Sequence, residues 1–126
     1  MRRLTKRSEY LNVARGGRTP RRGFLLQSRP RQDDDEARFG FTVTKKIGNA
    51  VVRNRIRRRL KEAVRLAGAL AAKRGTDYVL IGRSPALDQP FADLCADVVG
   101  ALKAASRLRD GGRDRPDAER KRANDG

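Results

Sequence analysis

Histidine is missing from this chain of 126 residues, and cysteine occurs once, at Cys95. Without an imidazole, the side chain that most often moves protons near neutral pH is unavailable for general acid or base work. Zinc goes with it, because one thiolate and no imidazole cannot complete a tetrahedral ligand set. A lone cysteine also forbids an intramolecular disulfide. Its neighbours at helical spacing, Phe91, Leu94, Val98 and Leu102, mark Cys95 as a small apolar side chain on a helix face. Long apolar runs are absent too: no stretch reaches the about 18 residues that suggest a membrane span, and no secretory h-region or lipidation motif occurs. The expectation is a soluble, cytoplasmic protein without a membrane partner. Acids are scarce beside bases, 15 against 31, for a formal net charge of +16. Such an excess makes the monomer repel itself and calls for a polyanionic partner, with nucleic acid the first candidate.

The length fits one domain. Its cations are concentrated between Lys45 and Lys61, where eight occur without an acid. From Ala50 to about Lys73 the apolar residues Val52, Ile56, Leu60, Ala63, Ala67 and Leu70 recur every three or four positions, which predicts an amphipathic helix. Asn54, Arg55, Arg57, Arg58, Lys61 and Arg65 fill the opposite arc, with Arg53 and Arg59 at its borders. A merely solvated helix face usually mixes signs, yet Glu62 is the sole acid between Thr44 and Lys73. Guanidinium groups repeated over several turns form a phosphate-binding surface, because each planar fork can hold two phosphate oxygens and displace condensed counterions.

Elsewhere the pattern predicts a short first helix over residues 8–15, with Ser8 as N-cap and Gly16 or Gly17 as a left-handed stop. Thr19-Pro20 opens a turn or a short edge strand. Residues 23–28 and 38–44 read as two strands of a hairpin joined by the acidic loop around Asp33-Asp34-Asp35-Glu36. In the second strand Phe39, Phe41 and Val43 alternate with Gly40, Thr42 and Thr44. The small face either admits a ligand backbone or lets a helix pack closely on Gly40. Residues 77–82 are a continuous apolar run, as in a central strand covered on both faces. Pro90 suits the first turn of a last helix. The domain is expected to span residues 1–109, and the polar, apolar-poor residues 110–126 read as a disordered tail.

Hydrolysis by the protein alone would need converging carboxylates for metal ions, since histidine is absent. The acids at 33–36 point in different directions from a loop, and Asp77, Asp88, Asp93 and Asp97 sit on separate elements. The expectation is therefore no catalytic residue and no metal site in the protein. Tyr10 is either a stacking platform for an unpaired base or a core residue of its helix. Phe24, Phe39 and Phe41 are of a type more often found in cores.

The run Lys45-Lys46-Ile47-Gly48-Asn49-Ala50-Val51-Val52-Arg53-Asn54-Arg55-Ile56-Arg57-Arg58 resembles the signature of the bacterial ribonuclease P protein subunit. The leading Leu-Thr-Lys-Arg-Ser-Glu-Tyr and the later Asp-Tyr-Val-Leu-Ile agree, so the resemblance covers about residues 2–108. It implies an α+β fold, a single-domain α-β sandwich of αβββαβα order with an unusual left-handed crossover, like domain 2 of ribosomal protein S5. It also implies a ribonucleoprotein endoribonuclease in which the catalytic RNA carries the chemistry with Mg²⁺ bound mainly by that RNA. The partners implied are ribonuclease P RNA and precursor tRNA, with no obligate protein partner. By matched position, Lys45, Lys46, Asn49, Arg53, Asn54, Arg55, Arg57, Arg58 and Lys61 would contact the catalytic RNA. Tyr10, Arg22, Phe24 and Gln27 would line a cleft for the 5′ leader. The chain departs from some relatives in having Ala14 and Gln27 where they carry aromatics. The same charge and size would also suit a ribosomal or architectural nucleic-acid-binding protein without associated cleavage.

Overall fold

The structure, a computed structural model, describes residues 1–114, with side chains described to residue 107. The chain runs through β1 (Arg2–Arg3), α1 (Arg7–Val13), β2 (Gly17–Pro20), β3 (Phe24–Pro30) and β4 (Arg38–Thr42). It continues into α2 (Ala50–Ala63), β5 (Thr76–Gly82) and α3 (Phe91–Asp114). Apart from the two-residue β1, this is the αβββαβα order of the α+β sandwich. The five strands form one sheet in the order β1-β4-β5-β3-β2.

The strands expected to form a hairpin, β3 and β4, are not neighbours. β5 lies between them, antiparallel to β3 and parallel to β4. Its run of Tyr78, Val79 and Leu80, each at most 2% exposed, needs cover on both faces and therefore takes the middle of the sheet. The connection from β3 to β4 crosses the start of β5, where Arg31 N–H donates to the Gly75 carbonyl at 2.6 Å and Gly75 N–H to that of Asp35 at 2.7 Å. A pattern confined to two strands cannot reveal a third that enters between them after a helix.

Alternation sorts the side chains onto two faces. Phe24, Leu26, Phe39, Phe41, Tyr78 and Leu80 join Ile56, Leu60, Leu94, Val98 and Leu102 in the main core beneath α2 and α3. Phe39 stacks on Tyr78 with centroids 5.3 Å apart. The other face is thinner: Leu4, Val13 and Val79 are buried there, with Tyr10 and Ile81 packed against them.

Local details depart from expectation at the helix ends. The N-cap of α1 is Lys6, not Ser8. The helix closes through bonds from Ala14 and Gly16 N–H to the Tyr10 and Val13 carbonyls. A left-handed glycine is not used there; positive φ occurs at Gly75. The long basic helix leaves α geometry after Ala63, passing through a π turn at Val64–Gly68 and a 3-10 turn at Ala69–Ala71. The wider turn shifts the phase of the stripe. Val64 and Gly68 become buried, while Leu70, expected in the core, is fully exposed. A Cβ on Gly68 would lie 2.7 Å from a Val98 methyl, so glycine lets α3 approach this turn.

Pro90 precedes α3, its carbonyl accepting from Leu94 N–H at 3.0 Å. Leu94, Val98 and Leu102 are buried with Cys95 packed beside them, as the helical spacing predicted. Burial holds the Cys95 thiol above its ordinary pKa. The helix continues to Asp114, past the expected boundary at 109. The rest of the expected tail, 115–126, lies outside the described residues.

Candidate nucleic-acid interface

Asn49 starts α2 by accepting the Val52 N–H on its side-chain oxygen at 3.0 Å. Directly before it, Lys45 and Lys46 stand exposed on a 3-10 turn. No acid occupies the first turn of α2, so nothing offsets the positive end of the helix dipole. Ile56 and Leu60, both fully buried, fix which side of the helix faces the sheet. Asn54, Arg55 and Arg58 are then exposed, and Arg53, Arg57 and Lys61 half-buried. Arg53 Nε donates to the Gly48 carbonyl at 3.1 Å, and Arg57 donates to Asn54 Oδ1 at 2.5 Å. Both contacts orient a guanidinium without neutralising it. Among the described residues none of Lys45, Lys46, Arg53, Arg55, Arg57, Arg58 and Lys61 forms an ion pair. Val51, Asn54, Arg57, Arg58 and Lys61 line an open groove of about 440 Å³ along the helix.

Two other cations of this segment are used differently. Arg59 turns toward the segment before α3 and donates to the carbonyls of Ala86, Leu87 and Gln89 at 2.6, 2.9 and 2.6 Å, with its guanidinium 5.8 Å above the Phe91 ring. Arg65 is paired with Glu62.

The expected leader cleft is divided by the sheet. Phe24 is completely buried in the main core. Gln27, three residues on, necessarily lies on the opposite face, so the two cannot line one cleft. Phe24 is therefore removed from it. Gln27 belongs to the α1 side, in register with Val79, which is in register with Gly40. Tyr10 is half-buried, its ring laid over Gly40: a Cβ there would come within 2.5 Å of a ring carbon. Gly40 thus lets the first helix pack closely, and the ring occupies the small-residue face of β4. Beyond the helix, half-buried Ile81 and Thr42 continue the floor beside Leu25. Arg22 is exposed at the turn between β2 and β3, and exposed Arg83 is brought to the same end of the sheet by its N–H bond to the Gly23 carbonyl at 2.9 Å.

Sequence reasoning missed the ion-pair chain at the other end of this face. Asp77, 7% exposed, accepts Arg31 at 2.5 Å and Arg38 at 2.8 Å on both oxygens. Arg38 continues to Glu9 at 2.8 Å, and Arg31 to Asp33. Glu9 also accepts the Thr5 and Lys6 backbone N–H groups, both at 2.9 Å. These backbone donors, Lys6 foremost and then Thr5, with Arg38 adding to them, hold its carboxyl below the ordinary range. Arg31, and next the Asp35 N–H, do the same for Asp33. Residues from α1, β4, β5 and the acidic loop are thereby tied together. Only the register between β4 and β5 sets Arg38 opposite Asp77, and no local spacing announces it.

A small α+β sheet that ties Glu9, Asp33 and Asp77 into internal pairs and leaves the arginines on the outer face of α2 without a carboxylate partner defines a nucleic-acid-binding protein. Among the described residues no group of three or more His, Cys, Asp or Glu is placed to hold a metal ion, and no helix is long and apolar enough to cross a membrane. The comparisons with known proteins make the class specific. The Ribonuclease P family profile matches residues 1–106, and the chain belongs to this family. It is 53% identical over 104 residues to the ribonuclease P protein component of Gluconacetobacter diazotrophicus, covering 82% of this chain and 90% of that one. Identity to the Brucella suis component is 45% over 123 residues, covering 90% and 86%. Among solved structures, the Staphylococcus aureus RNase P protein superposes with a TM-score of 0.69 at 27% identity, covering 83% of this chain and 95% of that one. The Thermotoga maritima protein gives 0.71 at 25%, covering 82% and 97%. The chain is thus a protein component of the ribonucleoprotein endonuclease that acts with an RNA subunit in tRNA 5′ processing.

Proposed function

We propose that Lys45, Lys46, Asn49, Arg53, Asn54, Arg55, Arg57, Arg58 and Lys61 hold the backbone of ribonuclease P RNA, and that the cleft between α1 and the sheet guides the 5′ leader of precursor tRNA. The observation that carries this reading is the α2 face, where Arg53 and Arg57 are oriented by neutral acceptors and the cations are left without counter-charges. Phosphates arriving there exchange with loosely held counterions and meet guanidinium forks already positioned. Asn49 contributes through its amide nitrogen, since its oxygen caps the helix. In the cleft, Tyr10 offers the ring face turned away from Gly40 to a base, a contact worth roughly 1 to 3 kcal/mol. Gln27 supplies polar contacts where an aromatic would stack, and Arg22 with Arg83 attracts leader phosphates.

Mg²⁺ fits the RNA better than this protein. Asp77, Glu9, Asp33 and Glu62 are engaged by arginines and do not converge on a common centre. The protein's contribution is to bind, orient and screen charge, in the cytoplasm where tRNA precursors are made. Reconstitution with the cognate RNA tests this: adding the protein is expected to restore leader cleavage at low Mg²⁺ and to tighten precursor binding as the leader lengthens. Unchanged rate and affinity would reject the role. Co-purification with ribosomes in place of this RNA would favour the structural alternative.

A further inference from the structure

The edge strand β1 brings a cation to α2 that no sequence pattern connects with it. β1 pairs in parallel with β4, placing Arg3 opposite Phe39, on the α2 side of the sheet. The Arg3 guanidinium lies 5.9 Å from the centre of the Phe41 ring. The neighbouring stretch of α2 presents Arg57, held by Asn54, and Lys61, which lines the helix groove. Three cations from two elements far apart in sequence therefore stand on the same side of the sheet, and none has a carboxylate partner among the described residues. We propose that Arg3, Arg57 and Lys61 form one seat for a single backbone phosphate of the RNA subunit, so that the N-terminal strand and α2 grip the same phosphodiester. This deepens the proposed function and rests on its reading of α2.

Like charges gathered without an acid raise the free energy of the unbound protein. Consistent with such crowding, burial first, and then Arg3 and Arg57, hold the Lys61 ammonium below its ordinary pKa. An arriving oxyanion reverses the repulsion and meets two planar forks and a flexible ammonium. The Phe41 ring supports the Arg3 guanidinium from below, so the fork is partly ordered before RNA arrives.

A structural role and a phosphate seat predict opposite effects, which the full-length protein and its cognate ribonuclease P RNA can distinguish. Arg3→Met keeps an aliphatic chain against Phe41 and removes the charge. It is expected to raise the thermal midpoint of the free protein while weakening RNA association about tenfold, with the slope of log affinity against log salt lowered by about one. Lys61→Met should do likewise. The double variant should lose less than the product of the two single losses, because both cations serve one phosphate. Arg3→Lys should recover most of the affinity. A lowered midpoint in Arg3→Met would overturn the inference by making Arg3 structural. Unchanged affinity and slope in Arg3→Met with a loss in Lys61→Met would overturn the shared seat and leave the α2 reading standing. No change in either variant, or in Arg57→Ala, would overturn both. Normal RNA assembly with weakened precursor binding would assign the phosphate to the substrate and also overturn the proposal.

Discussion

On the outer side of α2, Arg53, Arg55, Arg57 and Arg58 carry no carboxylate partner, whereas on the opposite face of the sheet Arg31 and Arg38 close on Asp77 and extend to Asp33 and Glu9. The residue type is the same and the physical use is opposite. In the paired region the charge is consumed in joining α1, β4, β5 and the acidic loop, and burial makes the pairing matter: the Asp77 side chain is only 9% exposed. In the unpaired region the protein carries repulsion that a polyanion relieves. Removing a charge should therefore cost folding in one place and binding in the other.

The largest expected effect lies in the paired region. Asp77→Ala leaves two arginines facing each other in a poorly solvated site and should cost about 3 to 5 kcal/mol in urea unfolding. A loss below about 1 kcal/mol would place this chain among ordinary surface pairs. Next comes Arg53→Ala combined with Arg57→Ala, which should weaken RNA association roughly a hundredfold and lower the salt slope by about two. The urea midpoint should hold or rise as repulsion is relieved; a marked fall would break the distinction between the regions.

Arg59→Ala sharpens the comparison from within a single helix. Although it sits beside Arg58, its guanidinium is spent on three backbone carbonyls. The substitution should cost about 2 kcal/mol of stability and leave the salt slope of RNA binding unchanged. The smallest effect concerns acid. The Glu9 carboxyl is held below its ordinary value of 4.5, so its stabilising contribution is complete above that pH and disappears as pH falls through the lowered folded value. The wild-type acid unfolding curve should accordingly be steeper below pH 4.5 than that of Glu9→Gln.

The cation face was legible in the sequence because helical periodicity places every side chain of α2 once Val52, Ile56 and Leu60 are known to point inward. The same reasoning failed past Ala63, where the π turn changed the period and sent Leu70 outward. Phe24 was misplaced although strand alternation alone separates it from Gln27. The hairpin error had a different origin: β3 and β4 each read correctly as strands, but their partner arrives from more than thirty residues later.

Charge balance, the missing histidine and the spacing of apolar residues on α2 were sufficient to specify a basic protein suited to a polyanionic partner and the helix face on which its cations stand. These depend on composition and on local periodicity, which a single chain records completely. Tertiary structure alone decided which arginines remain free. Arg31, Arg38 and Arg59 look no different in sequence from Arg55 or Arg58, and only strand register and helix docking bring carboxylates or carbonyls to the first three. The placement of Arg3 over the Phe41 ring, on the α2 side of the sheet, was decided in the same way, because β1 borders β4 and contacts between distant segments leave no mark in local spacing.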